Sequence, residues 1–483
     1  MTTTSTDAIT MTVNAEASSA ATQASDLVSL NGKTNQVITM TAVTKVSGSY
    51  ADLLNVYVTN AGQYNGEGDE AVTITGTVTA TQADAIADVT SGVVTAASIT
   101  ADTASALNSA LSDAQVNAYT LTINGSSATA SDITSLDNKT SGSITLSGTS
   151  MTITVASGET LNLSGITNSL GGNLSITDST GNENIVGTSA NDTLTLSSGN
   201  DTVNLGDGSD DINVTIGNLD ISDNISDNGV SGTDTLNITN SGTIDSANLI
   251  DVNGIETLNL SASDDTITFD DTTEFNAFRN EFANIADAGG NDTLSFGTSA
   301  VTGDLDFSKL SEFENLNLSS ANDNLTISGD EPTNINGLDG NDTFSLDFSN
   351  VNNFTINGGN NSAGDDKVNI TGTSSSISTD TNIFGAGAFD NIEALDLTAT
   401  NLVVGTDASN GGTNAEYTLT GSLINSWTSS NSLKLTLDAD AASKFEFTNS
   451  TGTKYGGDDS GTTAITNGSY TLDSGATLII DGL

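Results

Sequence analysis

Between Glu183 and Ile212 the chain repeats itself every nine residues. Each unit is a polar turn with an acidic residue, followed by a short apolar strand. The acids are in phase at Glu183, Asp192, Asp201 and Asp210. The residues two positions before them are Gly181, Ala190, Gly199 and Gly208. A nine-residue period of this kind is typical of a parallel β-roll, whose stacked turns supply oxygen ligands to Ca²⁺. The repeat therefore predicts calcium-binding turns.

The fullest turn is Gly206-Asp-Gly-Ser-Asp210, with Ile212 two residues later. It resembles the turn of the repeats-in-toxin family of secreted bacterial proteins, Gly-Gly-x-Gly-x-Asp followed by an apolar residue two positions on. The turns before Asp201 and Asp192 depart from that pattern, with Ser197 and Thr188 in place of the second glycine. Single copies of the turn occur before Asp234, Asp292, Asp342 and Asp366.

The resemblance implies that carboxylates of these turns are metal ligands. The candidate ligands are Asp192, Asp201, Asp207, Asp210, Asp234, Asp292, Asp339, Asp342 and Asp366. An isolated Gly-Asn-Asp sequence is also compatible with an ordinary type I turn before a strand, because Gly, Asn and Asp favour turns for backbone reasons alone.

Charge and composition narrow the classes of function. The 483 residues include 61 acidic and 9 basic side chains, which give a net charge of −52. Such a chain repels itself unless cations neutralise it, and its scattered basic residues cannot form the cluster that a nucleic-acid backbone requires. The absence of Cys and His excludes thiolate or imidazole zinc sites, disulfides and the commonest general base. Because the acids recur at repeat positions, we expect a structural or metal-binding role and no enzymatic activity.

Alternating apolar and Thr, Ser or Asn residues, as in 119–123 and 151–155, predict many strands with one buried face. Ala-rich segments at 21–27, 80–86 and 128–133 predict short helices near the amino terminus. The predicted fold is mainly β: an elongated parallel β-roll or β-solenoid with calcium-binding turns, preceded by an amino-terminal β-rich domain with short helices.

A second repeat has an offset of 58 residues, since Asp234 and Glu256 recur at Asp292 and Glu314. Together these patterns predict four regions. They are strand and short-helix repeats at 1–165, calcium-binding nonapeptides at 166–216, β-solenoid repeats at 217–400 and a carboxyl-terminal β domain at 401–483.

The units Asp-x-Leu-x-Ile at 234–238 and Ile-Glu-x-Leu-x-Leu at 255–260 also resemble those of surface-layer (S-layer) proteins of Gram-negative bacteria. That resemblance implies a calcium-dependent structural protein that assembles with copies of itself into a two-dimensional lattice. It also implies type I secretion through an uncleaved signal near the carboxyl terminus, in keeping with a first segment that lacks a cleavable signal. The amino-terminal region would anchor the layer to lipopolysaccharide or another surface glycan. The alternative is a secreted adhesin or extracellular filament subunit. Since all apolar runs are shorter than about 20 residues, no membrane-spanning segment is expected.

Overall fold

The computed structural model describes residues 8–14, 20–112, 115–328, 332–349, 354–360, 364–376, 381–404, 406–407, 413–457 and 462–483. The chain forms two compact units, Met1–Leu236 with Asp251–Ile255, and Asn237–Ile250 with Glu256–Leu483. Both consist mostly of short strands in parallel sheets, with a few short helices, which confirms the predicted β-rich fold at that level. No helix within the described ranges is long and apolar enough to cross a membrane.

The first unit contains the amino-terminal helices and the nine-residue repeats. Its strands are Met11–Thr12, Thr22–Gln23, Ile38–Thr39, Lys45–Ser49, Tyr64–Asn65, Ala71–Thr75, Val94–Ala96, Ala118–Tyr119, Leu121–Asn124, Ser127–Thr129, Ile144–Gly148, Met151–Thr154, Thr160–Asn162, Thr167–Leu170, Leu174–Thr177, Asn184–Val186, Asp192–Thr195, Thr202–Asn204, Asp211–Val214, Asn224–Ser226 and Val252–Asn253, with Thr235–Ile238 at the division between the units. Its α-helices are Ala24–Asn31, Tyr50–Leu54, Ala80–Ala87, Ala104–Ala110 and Ala130–Lys139, its π-helix is Asn55–Thr59, and its 3₁₀ turns are Ala61–Gln63 and Ile216–Asn218.

Threonine side chains begin several of these helices. The Thr79 side chain accepts from the backbone N–H of Gln82, and the side-chain Oε1 of Gln82 in turn accepts from Thr79 N–H. The side chains of Thr103 and Thr129 cap the next two helices, each by accepting a hydrogen bond from the backbone N–H three residues later. These caps satisfy donors that a helix leaves unpaired at its first turn. They explain why helices begin within or close to the Ala-rich segments 80–86 and 128–133.

The nine-residue units alternate between two parallel sheets. Leu194 pairs with Ile176 on one side and with Ile212 on the other, and neither partner belongs to an adjacent unit. The intervening unit belongs to the second sheet, where Ile185 pairs with Val203. All five side chains are buried. Only every second unit belongs to the same sheet. The acids that lie next to each other in a stack therefore come from alternate units and not from consecutive ones.

The second unit continues the same kind of parallel pairing. Its strands are Thr243–Asp245, Thr257–Asn259, Thr266–Phe269, Asn284–Ala286, Thr293–Phe296, Thr302–Asp306, Asn315–Asn317, Asn324–Ser328, Asn334–Asn336, Thr343–Asp347, Thr355–Asn357, Lys367–Thr373, Thr381–Asn382, Phe389–Asp390, Ala394–Asn401, Thr406–Asp407, Thr413–Asn414, Tyr417–Thr418, Ser432–Thr436, Phe445–Thr448, Lys454–Gly456, Gly468–Thr471 and Thr477–Asp481. Its α-helices are Thr272–Glu281, Gly421–Trp427 and Ala439–Ser443, with a 3₁₀ turn at Ser246–Leu249.

Aliphatic and aromatic ladders fill the core of the second unit. Leu325, Phe344 and Val368 stand in register on three successive strands and are at most 1% exposed. From the helix Thr272–Glu281, Phe275 packs edge-on against Phe269 of the strand Thr266–Phe269, with ring centroids 5.4 Å apart. These buried rows set the register of the strands, and the register sets which turn acids lie next to each other.

Candidate metal-binding turns

Backbone N–H groups of the repeat acids donate to carboxylates of later repeat acids. In the first unit, Glu183 N–H donates to Asp201 Oδ1 at 2.8 Å. Asp192 N–H donates to Asp210 Oδ1 at 2.7 Å, and Asp210 N–H donates to Asp234 Oδ1 at 2.8 Å. These bonds form a carboxylate ladder, which fixes one oxygen of each accepting side chain and leaves the other for a different partner.

The second unit contains the same ladder. Asp265 N–H donates to Asp292 Oδ1 at 2.7 Å. Further along, Asp323 N–H donates to Asp342 Oδ1 at 2.8 Å, and Asp342 N–H donates to Asp366 Oδ1 at 2.7 Å. The turns that the sequence shows as isolated copies are therefore stacked on other acid turns in space.

Several ladder carboxylates are buried with one oxygen unpaired. Asp201, Asp210, Asp292 and Asp342 are each at most 1% exposed. Within the described part of the chain, the Oδ2 atom of each has no hydrogen-bond partner. An ionised carboxylate whose charge has no positive partner costs several kcal/mol in a protein interior. Each of these side chains therefore requires a proton or a cation.

Burial is the main cause of raised pKa values in these turns. From an ordinary value of 3.8, it raises the pKa of Asp201 to about 6, of Asp210 to about 8, and of Asp292 and Asp342 to about 7. Hydrogen bonds from backbone N–H groups act in the opposite direction, and nearby carboxylates raise the values further. The electrostatic environment thus favours neutralisation of each carboxylate.

The closest group of acids is the triad Asp178, Glu183 and Asp201. One carboxylate oxygen from each lies within 4.8 Å of the other two, and all three side chains are buried. Burial raises the pKa of both Asp178 and Glu183. Three like charges at this separation are not stable together without a proton or a cation between them.

The triad also has unpaired oxygen atoms. Glu183 Oε2, Asp201 Oδ2 and the nearby Ser179 Oγ are buried and have no hydrogen-bond partner among the residues described. Asp178 is held by Ser179 N–H at 2.7 Å and Ser197 N–H at 3.1 Å. The group can accordingly hold a metal ion with an all-oxygen ligand set.

Backbone carbonyls approach the carboxylates at glycine positions. A Cβ atom at Gly337 would lie 2.3 Å from Asp342 Oδ2 and 2.5 Å from Gly358 O. Only glycine leaves space where these two oxygens converge. Carboxylate and carbonyl oxygens are the ligands of hard cations such as Ca²⁺ and Mg²⁺, so the residues present fit a bound cation of that type.

The structure places the other predicted ligands in different surroundings. Asp192 is buried, and both of its oxygens accept hydrogen bonds from Thr188. Asp207 Oδ1 accepts from Val230 N–H at 2.8 Å, and exposed Asp339 accepts from Asn360 Nδ2 at 3.2 Å.

Asp234 and Asp366 are buried acceptors of the ladder, at most 3% exposed. In the predicted turn before Asp366, Ser362 and Ala363 lie outside the described residues.

The predicted ligands omit three acids that the structure brings to these turns, although Glu183 is the first acid of the nine-residue repeat. Asp178 and Glu183 complete the triad. Asp287 has one buried oxygen without a hydrogen-bond partner in the described ranges, while the other accepts from Gly289 N–H at 2.7 Å. The sequence pattern that could have identified Asp178 and Asp287 is an acid five positions before the turn acid, at 178 before 183 and at 287 before 292.

The structure thus defines a β-rich protein with buried acidic turns, one group of which can hold a metal ion. Comparisons with protein-family models, with curated proteins and with solved structures gave no match.

Proposed function

We propose that this chain is a calcium-dependent structural protein of the cell surface that assembles with copies of itself into a two-dimensional S-layer lattice. One observation carries the calcium dependence: buried turn carboxylates keep one oxygen unpaired in both units, as at Asp210 and Asp342. A cation in each such turn would neutralise a charge that the interior otherwise does not tolerate.

The chemistry of the turns favours calcium over other metals. The chain has no Cys or His for zinc, and carboxylate and carbonyl oxygens converge near Gly337. Ca²⁺ accepts six to eight oxygens in flexible geometry, whereas Mg²⁺ demands near-octahedral geometry and keeps several waters. Turns assembled from carboxylates and backbone carbonyls suit the larger ion.

Calcium binding would be coupled to folding. The parallel ladders support the proposal that the strands of each unit are coils of a β-solenoid, so an ion in a turn would join residues far apart in the chain. An ion that binds only the folded state, at a concentration about 100 times its dissociation constant, contributes about 2.7 kcal/mol per site. At low calcium the net charge of −52 opposes compaction, which would keep the chain unfolded for export by type I secretion.

The lattice, the export route and an amino-terminal anchor on lipopolysaccharide or another surface glycan rest on the resemblance to S-layer proteins. The acids recur in the turns at positions set by the stacking of the strands, and this placement supports a structural role. The same turns would also stiffen a secreted adhesin or filament subunit, and the following experiment separates these functions.

The test is electron microscopy of the purified chain in millimolar calcium and again after chelation, with circular dichroism on the same samples. We expect ordered sheets in calcium, and loss of both the sheets and the β signal after chelation. Calcium-dependent monomers without sheets would favour the adhesin, and calcium-dependent fibres would favour the filament subunit. A chain that folds and assembles equally well with and without calcium would refute the proposal.

A further inference from the structure

Hydrogen bonds from a Ser or Thr four residues earlier close three of the acid turns. Thr188 donates to Asp192 twice, from N–H to Oδ2 at 2.6 Å and from Oγ1 to Oδ1 at 3.1 Å. Ser319 donates to Asp323 in the same way, from N–H at 3.1 Å and from Oγ at 2.8 Å. In the third turn, Ser261 N–H donates to the carboxylate of Asp265 at 2.9 Å. We call these three the hydroxyl-closed turns.

The same hydroxyl groups also shape the backbone of these turns. The Thr188 hydroxyl accepts from Ala190 N–H at 3.2 Å, and the Ser319 hydroxyl accepts from Ala321 N–H at 3.1 Å. The corresponding bond from Ser263 N–H to the Ser261 hydroxyl is 3.3 Å long. A hydroxyl that bonds the amide two residues later produces a Ser/Thr turn.

The residue two positions before the acid separates the two kinds of turn. In the hydroxyl-closed turns it is Ala190, Ser263 or Ala321. In the turns whose ladder carboxylate has an unpaired Oδ2 atom it is glycine, and we call these the glycine turns. They contain the pairs Gly199 and Asp201, Gly208 and Asp210, Gly290 and Asp292, and Gly340 and Asp342.

Backbone geometry explains why glycine is needed at this position. Gly208 and Gly340 have φ of 147° and 148°, values that residues with a Cβ rarely adopt. A Cβ at Gly340 would also lie 2.4 Å from Ala321 O. The turn before Asp201 has glycine at 199 although Ser197 is present four residues before the acid, and Ser197 donates its N–H to Asp178 at 3.1 Å rather than to Asp201.

We propose that calcium binds only at the glycine turns, and that the hydroxyl-closed turns hold no ion. In a hydroxyl-closed turn, protein hydrogen bonds already satisfy the carboxylate oxygen that a calcium ion would need. As in the glycine turns, the backbone N–H of the closed acid still donates to the next carboxylate, from Asp323 to Asp342 Oδ1 at 2.8 Å. This inference rests on the proposed calcium binding and assigns it to particular turns.

The test compares two isosteric variants in the second unit, Asp342→Asn in a glycine turn and Asp323→Asn in the hydroxyl-closed turn beside it. Bound calcium per chain is measured by equilibrium dialysis of the full-length protein, with circular dichroism to confirm folding. We expect Asp342→Asn to lose one ion and Asp323→Asn to keep the wild-type number. An equal loss in both variants would overturn the inference while leaving calcium binding intact, whereas a wild-type chain without bound calcium would overturn both.

A further pair of variants covers the case in which an Asn substitution prevents folding. Ser319→Ala removes only the closing hydroxyl, so we expect lower thermal stability in chelator and an unchanged number of bound ions. Ser319→Gly combined with Ala321→Gly converts the turn to the glycine type, and we expect one additional ion per chain. Loss of an ion in Ser319→Ala, or no gain in the double variant, would contradict the assignment.

Discussion

At the scale of single residues, protons and cations compete for the same buried oxygens. Asp210 is the clearest case, because burial and the nearby acids Asp192, Asp234 and Asp227 raise its pKa to about 8. Without a cation, such a side chain is neutral in the folded state and ionised in the unfolded state at neutral pH. Calcium requires the ionised form, so its affinity increases as pH rises.

This competition predicts the pH dependence of stability in chelator. The pKa values of Asp210, Asp292 and Asp342 are raised from 3.8 to about 8, 7 and 7, so the folded state binds more protons than the unfolded state between these limits. Stability from these groups is fully present below the unfolded pKa of 3.8 and is lost progressively as pH rises from there to the folded pKa values of about 7 to 8. Thermal unfolding in chelator should therefore give a lower midpoint at pH 8 than at pH 5.

Calcium supplies the control for this prediction. In saturating calcium the decrease in midpoint from pH 5 to pH 8 should disappear, because the ion replaces the proton. A chelated protein whose midpoint rises over this pH range would show that the turn acids are ionised and satisfied without an ion.

A pair of substitutions tests the nine-residue repeats directly. Asp201→Asn combined with Asp210→Asn removes two buried charges that have an unpaired oxygen. We expect this variant to need several times more calcium to reach half of the folded circular dichroism signal. Asp211→Asn is the control, since the same substitution at exposed Asp211 removes one carboxylate charge outside the turns and should leave the calcium midpoint unchanged. An unchanged midpoint in the double variant would separate these turns from calcium binding.

The sequence alone indicated which residues of the nine-residue units are turn acids and which are buried, because both recur at fixed positions in the nine-residue period. It did not indicate the triad, because Asp178, Glu183 and Asp201 meet only when the strands of alternate units are stacked. It showed that Thr188 replaces a glycine before Asp192, but not that Thr188 bonds both oxygens of Asp192, because those hydrogen bonds depend on backbone geometry inside the turn.

At the scale of strands, stability depends on columns of apolar side chains. Leu194 lies between Ile176 and Ile212 in adjacent parallel strands and is 0% exposed. The nine-residue repeat predicted a short apolar strand after Asp192. The assignment of successive units to two sheets required the structure, since a nine-residue phase by itself is compatible with the stacking of consecutive units or of alternate ones.

This column yields a prediction for the strand Asp192–Thr195. Leu194→Ala removes a buried side chain and leaves a cavity, which should cost about 2–5 kcal/mol of unfolding free energy. Thr193→Ala, on the half-buried position next to it, should change stability by less than about 1 kcal/mol. Denaturant unfolding in saturating calcium measures both, and similar losses would show that the column does not determine strand stability.

At the scale of the whole molecule, two electrostatic effects act at different depths. Among the described residues most acidic side chains are not buried, so dissolved salt screens their share of the net charge of −52. The turn acids, such as Asp292 and Asp342, are 0% exposed, and salt screens buried groups much less. Each compact unit contains turns with buried acids of this type.

These two effects predict different responses to sodium and calcium. In chelator, about 1 M NaCl, with a screening length of ~3 Å, should raise the thermal midpoint by reducing surface repulsion. Millimolar calcium should raise it further at constant ionic strength, because calcium also occupies the buried turns. Equal increases from the two salts would reduce the role of calcium to general screening.

The carboxylate ladder gives each unit a polarity. Every donor amide precedes its acceptor along the chain, from Glu183 N–H to Asp201 and from Asp323 N–H to Asp342. At the start of these rows, Gly158 N–H donates to Glu183 and Val301 N–H to Asp323, so the first carboxylates are capped by amides of residues outside the acid series. The two ends of a row are consequently not equivalent. Removing residues from the amino-terminal end of a row takes away the N–H donor of a carboxylate and leaves that carboxylate unpaired. Removing residues from the carboxyl-terminal end takes away an acceptor and leaves only a backbone N–H, which water can satisfy.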